Sequence, residues 1–301
     1  MMPTTIPGLC ATVLCLIVLP ALLHATTRFD RIPVVGLVLW SSMCIVGWSS
    51  AVVTFLKVGL GNTDTPLFRA LVTFFERLGD GHPLRGLGLS EVVGLSVAFD
   101  ITVLMLGGLI VTAVKIWSAR SRQRTVLDLV AEAPNSMEGV CLLRHSYPMA
   151  YFLPGDGGRV VLSTGAVDVL SRSELDAVIA HEVGHRNGRH GAVLIPLQVL
   201  SSFVSFLPLA RYAPTTLRAY LEMVADDFSR SRGSSDALRT ALEKAPLFQP
   251  PPIGALGVVD GVIDRRIERL HVDAVPARAV LTWLGGGVGT ALLLFLLVVG
   301  R

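Results

Sequence analysis

The chain has 301 residues, of which 51% are hydrophobic and only 16% charged, with a net charge of +3 and a mean hydropathy of +0.61. A soluble domain carries about a quarter charged residues, so this composition excludes a wholly soluble protein and points to membrane spans. That net charge is too small, and the Lys and Arg are too scattered, for a nucleic-acid footprint, and no direct nucleic-acid binding is expected.

Taken in chain order, runs at about 8–25, 34–56, 92–117 and 278–300 are long and apolar enough to cross a bilayer, which takes roughly 20 residues. The first has no Lys or Arg in the preceding "MMPTTIPGL". It therefore reads as a retained span rather than a cleaved signal. Between the second and third spans, "TPLFRALVTFFERLG" (65–79) sets Leu67, Leu71, Phe74, Phe75 and Leu78 at helical spacing. This predicts a helix on the membrane surface, either a packing cover for the spans or a sensor. Asp100 lies inside the third span, where acids are costly; it either pairs with a neighbouring span or transmits a signal. That span is followed at once by Lys115, Arg120, Arg122 and Arg124, and the short first loop carries Arg28 and Arg31. By the positive-inside rule the N-terminus is outside and residues 118–277 are cytoplasmic. Cys10, Cys15 and Cys44 sit in apolar runs and Cys141 in the polar region. No disulfide framework follows, and the polar part belongs in a reducing compartment.

The polar region opens with the amphipathic "RTVLDLVAEA" (124–133) and a "PNS" break. Two extended segments follow, "GVCLLRHS" and "MAYFLPGDGGRVVLS", the second folded into a hairpin by the Gly and Asp of "PGDGG" (154–158). "SRSE" (171–174) is a capping box with Ser171 at the N-cap and Glu174 at N3. Its helix should run to about Asn187 or Gly188. A fifth apolar run, "GAVLIPLQVLSSFVSFLPLA" (191–210), holds Pro196, Pro208 and three serines. By hydropathy it could span, dip into the membrane or pack as a core helix. "FQPPPIG" (248–254) is a stiff linker into a last amphipathic helix, "VVDGVIDRRIERLH". Gly285 and Gly289 in the final span suit close helix contact, and the spans could carry a homo-oligomer.

The chemistry lies in "DAVIAHEVGHRNGRH" (176–190). His181 and His185 are four apart, so on a helix they share a face. That spacing lets two imidazoles hold one zinc ion, Zn2+, with Glu182 beside it as a general base toward water. A hydrolytic zinc has three protein ligands. Downstream, "LRAYLEMVADDFSR" offers Glu222 as the third and Asp226, on the same face, as a carboxylate for the far nitrogen of a ligand histidine. Arg218, four before Glu222, could orient the site or stabilise an oxyanion, or be a surface arginine; His190 reads as structural. If 191–210 crossed the membrane once, Glu222 and His185 would stand on opposite sides and could not share a metal. Either the run does not span or there is no zinc site; the expectation is that it packs in the catalytic domain or dips into the cytoplasmic leaflet, with the site close to the bilayer.

HEVGH followed by EMVAD resembles the gluzincin membrane metallopeptidases that include the HtpX and CAAX-prenyl endopeptidase group. The stretch from "AYFLPGDGGRVVLSTG" to the HEVGH helix is most similar to the BlaR/MecR-type integral-membrane peptidases. The resemblance covers roughly residues 115–275 and implies one zinc per chain, held by His181, His185 and Glu222, with Glu182 as the catalytic base. It also implies that "RVVLSTG" (159–165), with Val160, Val161, Leu162 and Ser163, is the edge strand that holds an extended peptide substrate. Sensors of that family carry a penicillin-binding domain after their last span, whereas this sequence runs to Arg301 without one. Any signal is thus expected through the 57–91 loop, the spans or a partner. HtpX-like enzymes also tend to have a longer hydrophobic stretch before the glutamate.

The expected architecture is a mainly α, multi-span membrane protein with a cytoplasmic zincin-like (gluzincin) α+β domain containing a small β-sheet. The divisions fall at 1–117 for the N-terminal membrane region, 118–277 for the peptidase domain and 278–301 for the last transmembrane helix. The expected function is a zinc endopeptidase in a bacterial plasma membrane, its partners a protein or peptide substrate (a transcriptional repressor by the family resemblance) and the lipid bilayer. The alternatives are an HtpX-like quality-control protease and a non-catalytic signalling or scaffold protein with a structural zinc site.

Overall fold

The computed structural model describes residues 5–61, 67–82, 86–130, 140–155, 158–233, 235–248 and 262–272. The run at 278–300 expected as a last span, and with it Gly285 and Gly289, lies outside the described residues, as does most of the "FQPPPIG" linker.

Among the described residues, three helical segments are long and apolar enough to cross a membrane: Ile6–Leu23, Pro33–Gly59 and Leu89–Leu129. The first is α1 (Ile6–Val13), a π turn (Leu14–Val18) and α2 (Leu19–Leu23). The widened turn runs into Pro20, which has no N–H to give the normal ladder. The second segment is α3 (Pro33–Gly59), and α4 (Leu67–Gly79) then forms at the predicted place with none of its residues buried. The third, α5 (Leu89–Val130), is a single helix of 42 residues, about 60 Å long at 1.5 Å per residue. That is twice the hydrocarbon thickness. The amphipathic stretch predicted from residue 124 is thus the far end of the third span, and its Leu127 is buried with Tyr151, Leu153 and Val161 of the sheet. Helices α3 and α5 touch backbone to backbone where Gly59 meets Gly94; a Cβ on Gly94 would lie 2.9 Å from the Gly59 Cα. Asp100 is exposed on α5.

The sheet has three strands, β1 (Val140–Leu143), β2 (Ala150–Leu153) and β3 (Arg159–Ser163), in the order β1-β3-β2. β2 and β3 form the predicted antiparallel hairpin, while β1 pairs parallel to β3. This corrects the expectation for Val160, Val161, Leu162 and Ser163: they lie on the central strand, with partners on both sides, and cannot take a further strand. Ser163 is spent on structure as well: its hydroxyl donates to Tyr147 O at 2.8 Å and caps α6 (Thr164–Val169) by accepting from the Ala166 N–H at 3.0 Å.

α7 (Arg172–Asn187) starts on the predicted capping box, Ser171 and Glu174 each bonding the other's backbone. It ends at Gly188, but the left-handed residue is Arg189, at φ 48°. That turn launches α8 (His190–Phe203). At 14 residues α8 is about 21 Å long, too short to cross, and residues 204–207 turn the chain back into α9 (Pro208–Arg230). α9 packs on the second span: Leu209, Leu217, Tyr220 and Met223 share one buried cluster with Trp40, Met43 and Val46. Gly36 of α3 leaves room for the Tyr220 ring. The chain ends its described course in α10 (Ser235–Glu243) and α11 (Ile263–Leu270), whose Leu242 and Leu270 bury with Ala177 of α7.

Candidate metal centre and active site

Two helices carry the chemistry, and small residues let them approach. A Cβ on Gly184, in the HEVGH turn of α7, would stand 3.1 Å from the Ala225 Cα of α9. One turn further on α9, the buried Ser229 hydroxyl donates to Ala177 O at 2.8 Å. The pairing brings His181, His185 and Glu222 together, with ligand atoms all within 4.8 Å of one another and every side chain buried. The two imidazole Nε2 atoms are 3.1 Å apart, and Glu222 Oε2 and Oε1 stand 3.3 and 3.4 Å from His181 and His185. The 14-residue α8 lies in sequence between the two histidines and the glutamate, and all three meet in one buried cluster.

His181 Nδ1 lies 2.9 Å from Asp226 Oδ1. His185 Nδ1 lies 2.8 Å from His190 Nδ1. Each far nitrogen thus has a polar neighbour, and the two Nε2 atoms face each other at the common centre. Burial and the neighbouring His185 push His190 down to about 3, so it stays neutral. Burial alone would lower His181 too, but hydrogen bonds to Asp226 and Glu222 outweigh it and raise its pKa to about 9. Burial raises Asp226 and Glu222, yet Arg266 beside Asp226, and His185 with Arg266 beside Glu222, hold both carboxyls below the usual range.

This set fits zinc. Two imidazole nitrogens and a carboxylate oxygen are a common protein ligand set for a catalytic zinc, and the carboxylates that favour a proton on His181 equally favour a metal cation there. Glu182, next along α7, is 4% exposed. Its Oε2 has no hydrogen-bond partner among the described residues. Burial pushes its carboxyl up, opposed by the two histidines, and the backbone of Phe152 hydrogen-bonds it.

Phe152 belongs to β2, and this identifies the strand that serves the site. Ser163 N–H donates to Met149 O at 3.0 Å, so the odd-numbered β2 residues bond to β3, while Ala150 and Phe152 turn N–H and C=O outward. The sheet edge beside Glu182 is therefore β2, not β3.

Arg266, which the sequence reading passed over, completes the centre, and His190, read there as structural, supports it. Arg266 on α11 is 1% exposed and forks onto Asp226, Nε and Nη2 at 2.9 and 2.7 Å, with Nη1 3.1 Å from Glu222 Oε2. Arg218, the arginine marked from its spacing, is half-buried one turn before Glu222; the guanidinium paired with Glu222 is that of Arg266. The amphipathic "DRRIERLH" was visible, but nothing in it tells Arg265 from Arg266. His190 falls off the ligand face of an ideal helix; the left-handed Arg189 brings it back.

Residues 117–230 match the model of Peptidase family M48. Over 197 residues the chain is 28% identical to Protease HtpX of Cronobacter sakazakii, an alignment covering 63% of this chain and 64% of that relative, so under two thirds of the relative's length is spanned. The HtpX side of the sequence resemblance is the one these matches carry; the BlaR/MecR likeness rests on the sequence motifs alone. No solved structure matches.

Proposed function

We propose that this chain, whose residues 117–230 match the model of Peptidase family M48, is a membrane-embedded zinc endopeptidase. The observation that carries the reading is the convergence of His181, His185 and Glu222 beside a buried Glu182 with an unpartnered oxygen. When bound, zinc polarises the scissile carbonyl and makes water a better nucleophile. His181, His185 and Glu222 hold the ion; Asp226 and His190 hold the two imidazoles in position. Glu182 takes the proton from the attacking water and delivers it to the leaving amine. Its burial, which favours the neutral acid, suits a group that must carry that proton between the two. The substrate lies extended along the outer edge of β2, paired with the outward groups of Ala150 and the outward carbonyl of Phe152.

The packing of α9 on α3 and the length of α5 support a site at the membrane surface, and the charge distribution of the loops supports the cytoplasmic side. The resemblance to HtpX supports general proteolysis of membrane-associated proteins over cleavage of a single repressor. Detergent-purified wild type and Glu182→Gln, both loaded with zinc, test this against an unfolded membrane protein without any inducer. Wild type should cleave it, and Glu182→Gln should bind zinc equally and not cleave. Cleavage by the variant would refute the base assignment, and a wild type active only under an inducing signal would restore the repressor reading.

A further inference from the structure

Beside His185 the structure holds a cavity of about 320 Å³. It is lined by Phe152 of β2 and by Pro154 just after that strand, and His185 itself contributes to it. The rest of its character is basic: Arg120 from the end of the third span, Arg186 from the last turn of α7, and Arg189 from the turn after it. No carboxylate is among its described lining residues. Arg186 and Arg189 line it and are exposed, and neither forms an ion pair among the described residues. Arg189 also holds the one positive φ of any described residue other than glycine, 48°, a conformation unfavourable for a side chain with a Cβ. Backbone strain of this kind gathers at sites that use it, and here it presents a guanidinium to a cleft bordering a metal ligand.

We propose that this cavity is a specificity subsite for a substrate carboxylate, the side chain of an acidic residue flanking the cleaved bond. The proposal rests on the peptidase reading and deepens it. A peptide extended along β2 across Glu182 points alternate side chains to one face, and a side chain next to the bond over His185 falls into this cleft. Guanidinium groups pair with carboxylates through two parallel hydrogen bonds. Phe152 and Pro154 would pack on the methylenes of a glutamate, so Glu fits better than Asp.

Internally quenched decapeptides that place Glu, Gln or Lys at each position flanking the cleaved bond test this on the zinc-loaded full chain in detergent, each with a free or an amidated C-terminus. The same peptides are also titrated by fluorescence anisotropy onto Glu182→Gln. Glu at one flanking position should exceed Gln by about tenfold or more in kcat/KM and in binding, the effect lying mainly in KM. The ratio should fall to near one in Arg186→Gln/Arg189→Gln, and Arg189→Glu should shift the preference toward Lys. A preference that follows the free C-terminus instead of the Glu would keep the carboxylate site and overturn the side-chain assignment. Cleavage without any Glu preference, or a preference unchanged in the double variant, overturns the subsite and leaves the peptidase standing. Selective binding without any cleavage keeps the subsite and overturns the peptidase; neither cleavage nor selective binding overturns both.

Discussion

Arg266 and Asp226 are joined by a two-pronged ion pair with both side chains sealed from solvent, and the same carboxylate reaches His181 on its other side. One end of this chain of contacts is α11 and the other is a metal ligand. α11 is itself anchored to the loop between the first two spans, where Arg265 forks onto Asp30 at 2.9 and 2.5 Å and Arg269 donates to the Asp30 carbonyl at 2.6 Å. Removing one partner of a buried pair leaves the other charge uncompensated and costs about 3–5 kcal/mol. Arg266→Gln should therefore melt at a markedly lower temperature and lose about 10- to 100-fold in zinc affinity, the scale seen when partners behind metal ligands are removed. Arg266→Lys keeps the charge without the fork and should fall between. Competition with a chromophoric chelator reads the affinity; a glutamine variant that held zinc as tightly as wild type would refute the positioning role.

Zinc itself should stabilise the fold. A ligand that binds only the folded chain adds about 2.7 kcal/mol at a hundred times its Kd. The three ligands come from α7 and α9, so the ion adds a tie between two helices that are otherwise joined by packing, the Ser229–Ala177 hydrogen bond and the His181–Asp226 contact. Zinc should raise the melting temperature and a chelator should reverse the rise. Glu222→Gln should remove the dependence, because a neutral amide replaces the one anionic ligand. A melting temperature indifferent to zinc in the wild type would count against the centre.

Gly184 sets the distance between those helices. Alanine there gains up to about 1 kcal/mol of helix propensity and meets the Ala225 Cα at 3.1 Å; the two effects nearly offset, and little change in stability is expected. Leucine has nowhere to go. Overpacking costs about 1–3 kcal/mol, and separating α7 from α9 moves Glu222 away from both histidines. Gly184→Leu should thus lose zinc affinity out of proportion to its stability. Equal affinity in the leucine variant would show that the helices can slide without disturbing the ligands.

The sequence declared those features that are local in the chain. HEVGH and EMVAD were readable because ligand geometry on a helix is a matter of spacing, and the capping box because it spans four residues. The expectation that 191–210 does not span came by a different route: the metal's need for three ligands on one side overruled hydropathy. What was not readable depends on contacts between distant segments. The register of the sheet put β1 against β3, and so moved the free edge from Val160–Ser163 to β2; an isolated hairpin gives no sign of a parallel third strand arriving from outside. Arg266 reaches Asp226 across 40 positions, and its helix offers Arg265, Arg266 and Arg269 alike until packing decides which faces inward. His190 needed a backbone turn that no residue type announces, since the left-handed position is held by Arg189 and not by the neighbouring glycine.

The N-terminus of the ligand-bearing helix should respond to acid. Burial works to raise the Glu174 carboxyl, but the Lys244 ammonium at 2.7 Å and the Ser171 N–H, also at 2.7 Å, outweigh it and bring its pKa down from 4.5 to about 2. A carboxyl with a depressed pKa in the folded state contributes its full stabilisation above the unfolded value, near pH 4.5, and loses it as the pH falls toward 2. Glu174→Gln should consequently be destabilised by about 1 kcal/mol at pH 6, the scale of a helix cap, and the gap from wild type should close between pH 4.5 and pH 2. Thermal melts of both proteins across that range, run in the same detergent with a chelator present so that the metal ligands do not dominate, give the comparison. A gap that stays constant down to pH 2 would mean that the Glu174 side chain acts through packing and not through its charge.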